Sequence, residues 1–465
     1  MLSRFGALPP ILQDSVGRET LIKPRGLTVR CFYFLSFIFF NVLAVSLLEA
    51  ETLVIDVEKG VALALNNNER LLQAKIDVVH SREGHRLARS AGLPQLEASI
   101  NYNRNWLLPS FVFAGSAVRI GTENNLTGTV TMRQRLYAGG GVRAAMDMAD
   151  RQVAIMGETE RETRQLVVAA VEERFYDLLL AGELLKVVHL AIERSRQNLH
   201  QVVSRGQAGR ASEFDRLRAQ VQVSSMRADS IRSENDLRLA AMALKDIVGI
   251  DLDQPLEVRG TFRIDTSLDI NDLQGLLDRG VANRPELARI IRQLEYQERN
   301  VEFERAAGRP LLDLVATGQT QFQSNEFDLA DKEWRKSWNT GVVLNIPIFD
   351  GQRTGARVAQ AKQSLRRTEY ERQRLEREVH LQVQQAYYDV EEASERIEAN
   401  RDAVLQAEKG LRMAGSRYAN GAGTLLEILD AQLALVQTRT ENAMARRDRG
   451  FAPMRLERSV GVLGE

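Results

Sequence analysis

A single cysteine, ten prolines and 6% aromatic residues are all of these types that a chain of 465 residues carries. One cysteine excludes a disulfide framework and any zinc site built on several thiolates. So few prolines favour long uninterrupted helices, and sparse aromatics do not suit a conventional mixed core. Charge of one sign is missing as well: 62 Lys and Arg balance 62 Asp and Glu. A nucleic-acid binder needs a basic face against phosphate, so no nucleic acid is expected as a partner. His80, His85, His189, His200 and His380 are scattered without metal spacing. Nucleophile elbow, P-loop and zinc motif are absent, so neither an enzyme activity nor a cofactor is expected. Long apolar runs are missing with one exception, which excludes a polytopic helical membrane protein.

The exception is residues 31–48, eighteen positions without a charge, preceded by Lys23, Arg25 and Arg30 and followed by Ala50. Basic region, apolar stretch and small residue together predict a secretory signal over 1–50, cleaved after Ala50. Cys31 stands at the front of the run rather than its end, so no lipid anchor is expected. Removing the signal takes away five basic and three acidic residues and leaves a net charge of −2 with no cysteine.

What is present is a duplication. A shift of 212 places Phe175-Tyr176-Asp177 on Tyr387-Tyr388-Asp389, Ser204-Arg205 on Ser416-Arg417 and Ala219-Gln220 on Ala431-Gln432. Upstream the shift becomes 216, matching Asn67 with Asn283 and Pro94 with Pro310. Two copies of one unit are therefore expected, over 51–260 and 261–465.

Each copy changes period in the same order. Residues 352–418 lack proline and carry apolar positions at 3-and-4 spacing, among them Val379, Val383, Ala386, Val390 and Ala393. This predicts a coiled-coil helix about 100 Å long, with a counterpart over 141–206. Charges interrupt both too often for a membrane span. Further helices are expected at about 57–91, 211–248, 284–307 and 424–459. Between them the period falls to two. Strands are expected at about 95–106, 126–137, 311–323 and 338–349, each with one apolar and one Asn/Thr/Gln/Arg-rich face. A half-buried sheet of a soluble protein fits this alternation. A membrane barrel, lipid outside and water inside, fits the polar face and the flanking Trp and Tyr better. Four strands cannot close alone, so a barrel requires several chains; three would give 12 strands.

The segments LPQLEASINYN (93–103), LYAGG (136–140), PIFDGQR (347–353), AYYDVEEA (386–393) and SRYANGAGTLLEILDAQLAL (416–435) resemble the TolC-like outer-membrane efflux channel family. The resemblance implies a mainly α fold with β: a homotrimer with four strands per protomer in a 12-stranded barrel, continued by an α-helical periplasmic tunnel. It implies a passive exit duct in the outer membrane of a Gram-negative bacterium, part of a tripartite efflux or type I secretion system. Its implied partners are outer-membrane lipid, a periplasmic adaptor, and an inner-membrane pump or ABC transporter. A periplasmic adaptor is the competing reading, since adaptors also combine long coiled coils with a β-domain.

The resemblance also suggests roles. Glu427 and Asp430, three apart on one helix, match an acidic constriction at the periplasmic entrance. Asp215 in the first copy is the entrance-latch candidate. Where relatives place a latching Arg, this chain has Gly423, so the latch is either lost or remade with Arg210 or Arg216, and a looser closed state is expected. Gly209, Arg210, Gly421, Ala422 and Gly423 form the turns expected to dock the adaptor. Gly139, Gly140, Asp350 and Gly351 mark strand-to-helix joints, with Asp350 expected to cap the following helix. The apolar segment 107–121 is expected to be an extracellular loop, folding over the pore mouth.

Overall fold

The duplication recurs element by element. A computed structural model describes residues 53–113, 115–262, 268, 270, 272–326 and 334–464; the expected signal segment lies outside them. The first copy contains α1 (Val57–Asn67), α2 (Glu69–Ser90), α3 (Gly141–Gln207) and α4 (Glu213–Val248). The second contains α5 (Leu273–Asn283), α6 (Pro285–Ala306), α7 (Arg353–Ala419) and α8 (Leu425–Val460). The bounds of α3 and α4 map onto α7 and α8 at a shift of 212, and those of α1 and α2 onto α5 and α6 at 216.

The single helix expected at 57–91 differs from this, whereas the helix expected at 284–307 is α6, preceded by α5, which was not foreseen. In the first copy, Asn68 splits the helix. Its Oδ1 accepts from the N–H groups of Arg70 and Leu71, and its Nδ2 donates to the Ile247 carbonyl at 2.9 Å. In the second, Arg284 takes the matching place before Pro285, which suits a first helical position. Arg284 is buried, donates to Gln382 Oε1 at 2.5 Å and to the Arg458 carbonyl at 3.3 Å, and pairs with Glu286.

Four strands, β2 (Gln95–Arg104), β5 (Asn124–Ala138), β7 (Leu311–Ser324) and β8 (Arg335–Asn345), form one antiparallel sheet in the order β2-β5-β7-β8. The register gathers the alternation into rows. Leu96, Met132, Ala316 and Thr340 lie across one row, and Ala98, Val130, Gly318 and Trp338 across the next on the same face. The opposite face reads Glu97, Thr131, Thr317, Asn339, then Ser99, Thr129, Gln319, Ser337. A one-residue slip at any strand would mix the faces. Arg135 pairs with Asp313 at 3.1 Å on the polar face.

Three details depart from expectation. A bulge between Arg135 and Tyr137 extrudes Leu136, so Tyr137 rather than Leu136 meets Leu312. Strand β8 ends at Asn345, not 349, because Pro347 has no N–H for the ladder. Within 107–121, β3 (Ser110–Phe113) and β4 (Ser116–Arg119) form a hairpin of their own. A further pair not foreseen joins β1 (Leu53–Ile55) to β6 (Leu256–Val258).

The long helices carry the core. The side chains of Val167, Val171, Phe175, Tyr176 and Leu178 of α3 pack with Leu71, Leu244 and Met454. On α7, Val379, Val383 and Ala386 pack with Leu276, Leu287 and Leu456. The Tyr387–Tyr388 pair only partly follows, since Tyr388 is exposed. An ion pair ties the copies together, from Arg447 of α8 to Asp177 of α3 at 2.7 Å; within the second copy Arg447 and Arg396 of α7 also reach Asp448 of α8, at 3.0 and 2.5 Å. Among the described residues, no helix is long and apolar enough to cross a membrane.

Candidate functional site at the helical tip

The turns at 208–212 and 420–424 lie at the end of the helices remote from the sheet. Both close the long helix with the same motif. Gly209 has φ 70°, and the Arg210 N–H donates to the Arg205 carbonyl at 2.8 Å. Gly421 has φ 76°, and the Ala422 N–H donates to the Arg417 carbonyl at 2.9 Å. A residue in the left-handed region is how a helix satisfies its last carbonyls while reversing, and glycine does so without strain.

The next helices start with hydroxyl caps, Ser212 and Thr424. Asp215 and Glu427 then occupy the same position, one turn in, yet they do different things. Asp215 closes a capping box: its N–H donates to Ser212 Oγ at 3.1 Å, and its Oδ2 accepts from Ser212 N at 3.2 Å and Ser212 Oγ at 2.7 Å. Glu427 instead reaches Arg417 Nε at 3.3 Å. Asp430 is exposed and, among the described residues, has no ion-pair partner. Of the three candidate acids it alone presents an uncommitted carboxylate.

The cation that joins the two turns is neither Arg210 nor Arg216. Arg216 is taken by Glu213, to which its Nε donates at 2.8 Å. The bridge is Arg205. Its Nη1 donates to the Tyr418 carbonyl, and its guanidinium stacks 4.3 Å from the Tyr418 ring centroid. Burial pushes the Tyr418 phenol up, with the nearby Arg205 charge opposing. At Gly423, an added Cβ would stand 3.0 Å from Arg417 Cβ and 3.1 Å from both Glu427 Oε2 and Tyr418 N. A side chain there would displace the Arg417–Glu427 pair, so the glycine and that pair belong together.

One turn further along α8, Gln432 is 2% exposed. Its Nε2 donates to the Ala191 carbonyl at 3.0 Å and to Ser195 Oγ at 2.7 Å, and its Oε1 accepts from Asn198 Nδ2 at 2.9 Å. All three partners lie on α3. Beside it Arg439 of α8 donates to Glu408 of α7 at 2.6 Å, and that hydrogen bond holds the Glu408 carboxyl below its ordinary range. Arg205, Arg417 and Gln432 had a signal in the sequence, since each stands at a position matched between the copies. Of their partners, only Glu427 did.

The strand-to-helix joints are left-handed in both copies: Gly139 and Gly140 at φ 60° and 90°, Gly351 and Gln352 at 66° and 64°. A Cβ at Gly139 would meet Arg309 Cβ at 2.5 Å and the Ala306 carbonyl at 2.9 Å. Asp350 serves α7, though not as the expected N-cap; Gln352 holds that place without a side-chain bond. From two residues upstream, Asp350 Oδ2 accepts from Thr354 Oγ1 at 2.5 Å and Thr354 N at 2.9 Å. These bonds, the hydroxyl's first, hold its carboxyl below the usual range.

A sheet that separates polar from apolar by register, joined to 67-residue helices that reverse at a charged tip, defines the class of an outer-membrane channel subunit. The chain belongs to the outer membrane efflux protein family, whose pattern matches residues 61–250 and again 276–462. It is an outer-membrane protein of a transport family, not of an enzyme family. Outer membrane protein TolC of Vibrio cholerae is 22% identical over 405 residues, covering 86% of this chain and 90% of the relative. Alkaline protease secretion protein AprF of Pseudomonas aeruginosa is 25% identical over 431 residues, covering 90% and 87%. Among solved structures, the outer membrane protein VceC of Vibrio cholerae superposes with a TM-score of 0.73 at 18% identity, covering 87% of this chain and 96% of that one.

Proposed function

We propose that three copies of this chain close one 12-stranded barrel and act as the passive exit duct of a tripartite efflux or type I secretion system. The observation that carries this reading is the sheet itself. Its outer strands β2 and β8 are exposed along their whole length and each leaves one edge unpaired. Open edges are not tolerated in lipid, whereas closure by neighbouring copies satisfies them and keeps the polar face inside. Twelve is an even number within the range of such barrels.

In the trimer the helices continue the barrel as a tunnel, and energy comes from an inner-membrane pump or ABC transporter through a periplasmic adaptor. The turns at Gly209-Arg210 and Gly421-Ala422-Gly423 are the docking points for that adaptor. Asp430 rings the entrance, with Glu427 contributing less because Arg417 neutralises it. Three carboxylates around a narrow wet mouth focus a negative field that favours cations. Asp215 is not needed as a latch in this reading; the Arg205–Tyr418 contact and Gln432 hold the tip shut. Relatives named for alkaline protease secretion and for toluene efflux share this chain's length almost entirely, so cargo is set by the partner rather than by the duct.

The test is reconstitution of the purified protein in planar bilayers, with cross-linking to count copies. Discrete conductance from a trimer supports the proposal. A monomer in detergent that never yields conductance refutes it.

A further inference from the structure

From the apolar hairpin at the loop end of the sheet, we propose a binding surface for phosphorylated lipid of the surrounding leaflet, not a lid over the pore. Between Arg104 and Thr122 the chain carries two arginines, 104 and 119, and no acid. Trp106, Leu107 and Val112 are 85%, 89% and 78% exposed, and Phe111 is exposed too. Hairpin residues of both parities are thus apolar: Phe111 faces Val118 across the ladder and Val112 faces Ala117. A two-stranded hairpin is marginal in water, and one that is apolar on both faces is stable only in apolar surroundings.

The side on which those surroundings lie follows from register. Arg104 continues the parity of Leu96, Ile100 and Tyr102 on the apolar face of the sheet, the face that the proposed barrel, on which this inference rests, turns to lipid. Its guanidinium lies 4.6 Å over the Trp106 ring, which sets Trp106 beside that same face at the end of β2. Bonds from Asn105 N to the Glu123 carbonyl (2.7 Å) and from Ile120 N to the Pro109 carbonyl (3.0 Å) carry the β2–β5 ribbon on to the hairpin. Lys336 stands on the same outer face, in the row of Ile100, Gly128 and Thr320. Aromatic and aliphatic groups beside Arg104 and Arg119, with Lys336 on the same face of the sheet at its far edge, complement acyl chains capped by phosphate.

The experiment uses the chain without residues 1–50, the expected signal, in phosphatidylcholine vesicles with and without lipid A, a phosphorylated glycolipid. A nitroxide is attached at Val112→Cys in that chain, which carries no other cysteine, and a second sample keeps Trp106 as sole tryptophan through Trp334→Phe and Trp338→Phe. The nitroxide is expected to be more accessible to oxygen than to an aqueous nickel complex. Trp106 emission is expected to shift to the blue and to be quenched by brominated acyl chains, not by aqueous iodide. Lipid A is expected to deepen the nitroxide, and Arg119→Gln with Lys336→Gln to abolish that added shift. A nitroxide reached mainly by the nickel complex overturns the proposal, as does spin–spin broadening between copies, which would signify a lid. A lipid A response unchanged in the double variant overturns the phosphate part.

Discussion

Replacing Gln432 by leucine tests whether the tip is held by one buried amide. The side chain makes three hydrogen bonds to α3. Each is worth about 1 kcal/mol net, so about 3 kcal/mol is at stake. Leucine fills the space and recovers part through apolar burial, and Asn198, only half-buried, can turn to water. Ser195, at 1% exposure, cannot. A net loss of about 2 kcal/mol per protomer is expected, roughly a 30-fold rise in local opening. The assay is hydrogen exchange of the α8 backbone around Gln432, alongside open probability of the reconstituted channel. The duplication supplies the control. Gln220 is the matched residue of the first copy, lies on α4 and is exposed, so Gln220→Leu should stay within about 0.5 kcal/mol of the parent. Equal behaviour of the two variants, or unchanged exchange in Gln432→Leu, would refute the argument.

Three other outcomes are expected. Asp430→Asn should relieve block by a divalent cation added from the entrance side several-fold, while Glu427→Gln changes it less, since Arg417 already offsets that charge; titration of single-channel current checks both. Gln352→Gly should stabilise by about 1 kcal/mol by removing a left-handed side chain, whereas Gly139→Ala should destabilise by more, because its Cβ has no room; thermal unfolding rates of the two variants separate them. The Glu408–Arg439 contact should weaken in acid. The folded carboxyl lies below its ordinary value, so its contribution is complete above about pH 4.3 and disappears as pH falls through the lowered value. Hydrogen exchange between α7 and α8, compared with Glu408→Gln, should show a pH-dependent loosening that the variant lacks.

Much of the architecture is legible in the chain because two periodicities and a duplication specify it. The strand alternation anticipates which residues share a face, and the structure adds that all four strands agree in register. The long helices stand where proline is missing, and their seam residues Val379, Val383 and Ala386 are buried. Ends were less legible. Pro347 shortens β8, while Asn68 breaks a helix by side-chain bonding that no apolar period reports.

The tip was the least legible region, and the reason lies in the duplication itself. Matched residues invite matched roles, yet α8 is wedged between α3 and α7 while α4 packs chiefly on α3. Gln432 therefore meets Ala191 and Ser195 in a buried seam, and Gln220 meets solvent. Arg205 finds an aromatic ring at Tyr418, but Arg417 does not, because the residue matched to Tyr418 is Gly206. Arg417 turns instead to Glu427, which Gly423 leaves room for, and the matched Asp215 folds back on its own cap. Identical backbone turns thus carry opposite duties: one turn supplies the bridging cation, and the other receives it and leaves Asp430 uncommitted. An entrance that opens should do so by moving the α7–α8 pair against α3, because the Arg205–Tyr418 contact and the Gln432 bonds cross that boundary.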